Sequence, residues 1–215
     1  MMHTKVVFTK KPIDEVLSDK RVRMIYELLR MIMGNDPVHG WPHIERVLGL
    51  ALRIAENING HIDYKVLILS VLLHDIGRLS ENYLGKHHAV IGAEIVEKLL
   101  ENLGFSRDLI ERVVEAIRTH SFSHNERPRS LEAMILSDAD KLDAIGAIGV
   151  VRTFMLSERW NRGINETIKH FYEKLLKLKD MLFLEYSRKI AQRRHKLLEM
   201  FLNNLLEDLS ESSIS

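Results

Sequence analysis

Cysteine is absent from this 215-residue chain. That excludes disulfides, iron–sulfur clusters and thiolate zinc sites, so any bound metal has to be held by imidazole and carboxylate. The lack of cysteine is also consistent with a reducing compartment. An excess of charge is missing too. Lys and Arg together number 31 and Asp and Glu 30, a formal net charge of +1. The chain therefore lacks the broad basic field of a protein that binds polymeric nucleic acid or a membrane surface. Long apolar runs are absent: the greasiest stretch, residues 66–73 (VLILSVLL), is far below the roughly 18 residues of a membrane span. The apolar run in residues 1–8 is too short for a signal peptide, and a cytoplasmic protein is expected.

Proline and glycine are scarce, at four and eleven residues. Strand patterning is nearly missing, with residues 5–9 the only candidate. No repeat, low-complexity tract or Pro/Gly/Ser linker is present. What fills the chain is helical periodicity at ordinary globular composition, 46% hydrophobic and 28% charged. Ile44, Val47, Leu48, Ala51, Ile54, Ala55 and Ile58 recur at three/four spacing. Pro42 stands in their first turn and Asn59-Gly60 at their end. Residues 66–73, apolar almost all round, predict a buried central helix ending at His74, Asp75 and Gly77. Further helices are expected over residues 89–103, 108–120 with Ser106 as N-cap, 131–142, 145–160, 164–179 and 181–209. Residues 121–130 read as a loop, 161–163 as a turn and 210–215 as a frayed tail. The expected fold is all-α, one domain over residues 1–215. Its core spans about 35–160, and a C-terminal helical extension over 161–209 serves as a lid or packing layer.

The adjacent pair His74-Asp75 is the sharpest chemical feature, because it puts a carboxylate at the end of the greasiest helix. A buried carboxylate without a partner costs several kcal/mol, and a divalent cation is one partner that would satisfy it. His43 lies just before the apolar face of the preceding helix begins. Asp138, Asp140 and Asp143 punctuate an otherwise apolar helix. Imidazoles mixed with carboxylates suit Mn, Fe, Co, Ni or Zn better than Ca or Mg. Periodicity alone does not choose between Asp138 and Asp140.

The order His43 … His74-Asp75 … Asp140 resembles the HD superfamily of metal-dependent phosphohydrolases. The local matches are His43-Ile44-Glu45-Arg46-Val47, Leu72-Leu73-His74-Asp75-Ile76-Gly77-Arg78 and Ser137-Asp138-Ala139-Asp140-Lys141-Leu142-Asp143, continuing to Gly146 and Gly149. The last is similar to the small bacterial and archaeal proteins that include nucleotide pyrophosphohydrolases. The resemblance covers roughly residues 35 to 160. It implies an HD-domain helical bundle with one divalent metal ion (Mn, Fe, Co, Ni, Zn or Mg) held by His43, His74, Asp75 and Asp140. Asp140 is preferred because the family's ligand directly precedes a basic residue and leucine; Asp138 is held in reserve. His88 and His120 echo the family's two-metal members, but Ser121 stands where those members carry another histidine. One tight ion is therefore implied, with His88 and His120 facing substrate phosphates or holding a weak second ion.

Around these ligands, Arg78 is the preferred phosphate contact, since guanidinium matches phosphate geometry. Arg46, Lys141 and Arg152 follow behind it. Arg188, Arg193, Arg194 and His195 read as a solvated basic face unless the last helix folds over the site. His87 and His124 read as surface residues. His39 and Trp41 are placed at the entrance, with Trp41 equally a staple on the helix start. The implied activity is hydrolysis of a phosphoester or pyrophosphate bond in a nucleotide by a metal-activated water. Asp75 would orient or deprotonate that water, and Arg78, His88 and His120 would offset charge on the phosphate oxygens. No serine or cysteine nucleophile is required. Ile76-Gly77-Arg78 replaces the acidic residues that follow the His-Asp pair in guanosine tetraphosphate hydrolases. Two alternatives stand beside this reading: a cyclic-nucleotide phosphodiesterase, and a non-catalytic metal- or nucleotide-binding sensor on the same scaffold. Leu197, Leu198, Phe201, Leu205 and Leu209 could bury against the core or against a second subunit, so a homo-oligomer is a further expectation.

Overall fold

The computed structural model describes residues 11–121 and 126–211. The strand candidate at 5–9, the residues 1–8, His124 and the tail 212–215 lie outside them. Among the described residues there are only helices and their connections, as the periodicity predicts. The chain divides into two compact units, Met1–Ala139 and Asp140–Ser215.

The first unit is built around the helix that the apolar run predicts. This helix, α4 (Tyr64–Leu73), is buried at every position from Val66 to Leu73. It can be apolar all round because neighbours cover it on all sides: α1 (Lys11–Val16), α2 (Lys20–Ile32), α3 (Trp41–Ala55) and α7 (Arg107–Thr119) each pack on it. Its start is fixed by polar contacts. Asp63 caps it, accepting from the amides of Lys65 and Val66. Arg112 of α7 donates to both Asp63 and Glu132 (3.1 and 3.0 Å). Glu132 lies in the first turn of α8 (Leu131–Asp143).

α1 and α2 carry no expectation from the sequence. α2 has the signature of a capped amphipathic helix: Asp19 accepts from the Arg21 amide, and Val22, Ile25 and Leu29 are buried at three/four spacing. In α3 the expected face is buried, but the helix ends at Ala55, four residues before Asn59. Ser106 caps α7 through the Leu109 amide (3.4 Å).

After α4 come a 3-10 turn (Ile76–Leu79), a short α5 (Glu81–Leu84) and α6 (His88–Asn102), which packs on both the 3-10 turn and α7. α4 ends at Leu73, just ahead of His74, Asp75 and Gly77 as expected, and Gly77 has a further role beyond the helix end. It lies within the 3-10 turn, where a Cβ would fall 2.1 Å from the His88 carbonyl oxygen and 2.6 Å from the Gly92 amide nitrogen. Glycine is needed for close backbone approach.

The second unit contains α9 (Gly146–Arg159), α10 (Ile164–Glu173) and α11 (Glu185–Glu211). The single helix expected over 164–179 is broken after Glu173, and a 3-10 segment (Leu175–Met181) follows. Leu175 and Leu178, three apart, are both buried there, the spacing that a 3-10 helix superposes. Leu182 is extended, so α11 starts at Glu185 rather than 181. Within this unit Phe201 packs against Phe154 and Phe171 at ring distances of 5.8 and 6.0 Å, and Leu198 is fully buried.

Gly77→Ala forces the 3-10 turn away from α6. We expect a loss of about 1–3 kcal/mol, a fall in Tm of several degrees at this chain length, measured by thermal unfolding. An unchanged Tm would show that this approach is not tight.

Candidate functional site

His74 and His120 reach the site by the same local device. Each follows the last turn of a helix, α4 and α7 respectively, in the right-handed helical conformation. Each places Nδ1 on the carbonyl three residues earlier, His74 on Val71 (2.7 Å) and His120 on Ile117 (2.6 Å). A helix end leaves such carbonyls without intrahelical partners. A carbonyl only accepts, so Nδ1 carries the proton and, in the neutral ring, Nε2 carries the lone pair. Both Nε2 atoms turn inward, and both rings are almost wholly buried.

Asp75 stands between them. It leaves the helix at φ −101°, ψ 9°, in the sparsely populated bridge region where site residues are often found. It is 1% exposed. Its two oxygens face different partners. Oδ2 lies 3.2 Å from His39 Nδ1 and 3.7 Å from Nε2 of both His43 and His74. Oδ1 accepts from Arg78 Nε at 2.8 Å and lies 3.7 Å from His88 Nε2 and 3.9 Å from His120 Nε2. Burial opposes its ionisation. The Arg78 charge, the neighbouring His74 and the hydrogen bond from His39 outweigh burial and hold the carboxyl well below its ordinary range.

On the Oδ2 side, Nε2 of His43 and Nε2 of His74 are 3.2 Å apart. Two nitrogens bound at about 2.1 Å to one ion, at angles between square and tetrahedral, stand about 3.0–3.4 Å apart. The buried carboxylate oxygen beside them completes a mixed N/O donor set of the kind expected. Two sets of donors, His39 with His43 and Asp75, and His74 with Asp75 and His120, each lie within 4.8 Å of one another. The residues therefore fit a divalent cation.

On the Oδ1 side, Arg78 Nη2 donates to His88 Nε2 (3.3 Å). Glu81 binds both partners: Oε1 accepts from His88 Nδ1 (3.2 Å) and its amide (3.3 Å), and Oε2 pairs with Arg78 Nη1 (3.4 Å). His88 is pushed down to about 2, first by burial and then by the Arg78 charge. It is neutral throughout the physiological range.

The first unit thus brings together His43, His74, Asp75, Arg78, His88 and His120. Asp140 opens the second unit, half-buried on α8, and Asp138, two residues earlier, is fully buried. Other residues differ from expectation. His39 is not merely an entrance residue but contacts Asp75. Of the two readings of Trp41, entrance or packing at the helix start, the second fits: it is 6% exposed and edge-on to Tyr26 at 4.9 Å. His87 is no plain surface residue: it caps α6 through the Ala89 amide. Arg46 donates to the Pro37 carbonyl (2.9 Å). In the second unit, Arg152 pairs with Asp143 (2.6 Å), and Lys141 lies over the Phe183 ring. The stretch 188–195 is not a uniformly solvated face. Arg188 ties the Leu182 and Phe183 carbonyls, Arg194 donates to the Leu142 carbonyl, and His195 is buried beside Lys179 and Glu199. Glu81 was missed; its position between Arg78 and His88 in sequence was the only available signal.

Residues 40–145 match the sequence profile of the HD domain. Bacillus subtilis YpgQ is 31% identical over 199 residues, 88% of this chain and 94% of its own length. The chain belongs to the HD domain family. Its all-α fold is similar to that of B. subtilis YpgQ in complex with ADP (TM-score 0.70, 30% identity, 88% of this chain and 95% of that one). It is also similar to an HD-superfamily hydrolase from Bacillus thuringiensis (TM-score 0.66, 27% identity, 93% and 98%). HD domains bind divalent metals, and the His/Asp cluster of this chain, apart from His39, lies inside the matched region. No helix among the described residues is long and apolar enough to cross a membrane.

His88 generates a pH prediction. Its folded value lies below the unfolded value of about 6.5, so as pH falls the unfolded chain takes up a proton that the folded chain refuses. Stability is therefore lost below about pH 6.5, by up to about 1.4 kcal/mol per pH unit for this group. In urea unfolding of the metal-free protein between pH 7 and 5, His88→Gln should show a shallower decline than wild type. Parallel declines would mean that His88 protonates freely in the fold.

Proposed function

We propose that this HD-domain protein is a divalent-metal-dependent phosphohydrolase that cleaves a phosphoester or pyrophosphate bond of a nucleotide. The observation that carries the reading is the division of labour at Asp75: three imidazole nitrogens gather at Oδ2, and a guanidinium donates to Oδ1, with His88 and His120 beside it. The first arrangement suits an ion, the second a phosphate. The relation to YpgQ, whose structure was solved with ADP, supports a nucleoside phosphate over a cyclic nucleotide.

His43, His74 and Asp75 hold the ion in this reading, with Asp140 as the fourth ligand on the strength of the family motif. When bound, a divalent ion supplies Lewis acidity toward a phosphoryl oxygen and toward water. The chain's own residues supply the rest. Arg78, with one edge on Asp75 and Glu81 behind it, presents a fixed cation to the phosphate. His120, with its proton held on Nδ1, offers Nε2 as an acceptor that orients the attacking water. Neutral His88 accepts from Arg78 and keeps that guanidinium in place, so Arg78 does most to offset the phosphate charge. Asp75, ionised at neutral pH, orients water on the side away from His39.

The test is elemental analysis of wild type beside His74→Ala and Asp140→Ala, with phosphate release from a panel of nucleoside mono-, di- and triphosphates and cyclic nucleotides on the same samples. The expected result is about one ion per chain in wild type, and in both variants loss of the ion with a fall in turnover on the order of 100-fold or more. Nucleotide binding without turnover, under every divalent metal supplied, would transfer the protein to the sensor reading.

A further inference from the structure

The Asn59-Gly60 doublet has no part in ending α3. That helix stops at Ala55, and the doublet lies in the connection that leads to α4. Of the asparagines in the chain, only Asn59 is followed by glycine. Both residues are exposed. Among the described residues, neither the Asn59 carboxamide nor the Gly60 backbone amide has a hydrogen-bond partner. Other asparagines are restrained. Asn57 and Asn204 donate their carboxamides to the carbonyls of Arg53 (2.8 Å) and Met200 (2.6 Å). Asn102, Asn165 and Asn203 lie within α6, α10 and α11, where the helix fixes the backbone. Gly60 stands at φ 138°, a conformation open to glycine, and has no Cβ to shield its nitrogen. An exposed carboxamide is thus tethered next to an unprotected backbone nitrogen, and such tethering raises effective concentration steeply.

We propose that Asn59 is a site of spontaneous deamidation, at which the chain supplies its own nucleophile and turns the α3–α4 connection into isoaspartate. The Gly60 nitrogen, its proton passed to solvent, attacks Asn59 Cγ. The Cγ–Nδ2 bond breaks, ammonia leaves, and a five-membered succinimide joins the two residues. Water then opens the ring at either carbonyl. Opening at Cγ gives aspartate with the chain path unchanged. Opening at the main-chain carbonyl gives isoaspartate, with the chain routed through the side chain. The net change is amide plus water to carboxylate plus ammonium, and no oxidant, reductant or metal takes part. Isoaspartate adds a methylene to the backbone where space is short, since a Cβ on Gly60 would fall 2.6 Å from Leu131 Cδ1. Three residues beyond Gly60, Asp63 caps α4 and accepts from Arg112. The rerouted chain therefore loosens the start of the helix that ends at His74. This chemistry is independent of the phosphohydrolase reading.

The experiment is incubation of the purified full chain at 37 °C, at pH 6 and pH 8, followed by peptide mass spectrometry and methyl-ester labelling with an isoaspartyl methyltransferase. A synthetic peptide of residues 56–63 is incubated alongside, with the Asn59→Gln variant as control. The peptide spanning Asn59 is expected to gain the mass of acid over amide before any other asparagine-containing peptide does. The gain should be faster at pH 8, where the attacking nitrogen loses its proton more readily. The methyl-ester label should appear in wild type and be lost in Asn59→Gln. Aged wild type should melt below the fresh protein, whereas fresh Asn59→Asp, with the charge but not the rerouted chain, should melt with it. A folded chain that keeps Asn59 intact while the free peptide converts would overturn the proposal, as would equal conversion at asparagines inside helices. An isoaspartate-rich sample that melts with the fresh protein would overturn the effect on α4.

Discussion

A carboxylate held almost wholly out of water is the constraint around which the first unit is arranged. Desolvating a charge of this kind costs several kcal/mol unless it is paired on every side, and Asp75 has both oxygens engaged. The fold supplies those partners from separate elements: His39 from the turn before α3, His43 from the start of α3, His74 from the end of α4, Arg78 from the 3-10 turn, His88 from α6 and His120 from the end of α7. Removing any one leaves a buried group short of a partner, the asymmetry that makes such clusters costly to break. The same low dielectric would strengthen each interaction with the ion and the phosphate of the proposed function.

The apolar helix α4 delivers Asp75 to its place. Four helices cover it, and its far end is locked by Asp63, Arg112 and Glu132, so its final residues have little freedom. His74 and His120 then use the unsatisfied carbonyls of two helix ends to fix their protons. Gly77 lets the following turn run against the backbone of α6, and that close approach carries Arg78 toward His88. Packing, capping and one missing Cβ thus set the geometry before any ligand enters.

Much of this was legible in the sequence. The run at 66–73 could only be a buried element, and the positions of His43, His74, Asp75, Arg78, His88 and His120 followed from motif order. Other features were hidden for identifiable reasons. α2 has its apolar residues at proper spacing, but they are set among Lys and Arg residues that mask the pattern. The break after Glu173 depends on a three-residue burial interval too short to stand out from helical periodicity. His39 and Glu81 carry no motif of their own; each matters only because a turn brings it back onto Asp75 or His88. Arg194 and His195 looked solvated because a charged sequence pattern does not report which side of α11 is covered.

The most direct test of this account is X-ray absorption at the zinc edge of the zinc-loaded protein. It is predicted to show imidazole nitrogens at about 2.0–2.1 Å, with outer-shell scattering from at least two histidine rings that is lost in His43→Ala. A coordination shell of oxygen alone, without imidazole scattering, would contradict it, because His43 and His74 would then face each other across the buried carboxylate without sharing an ion.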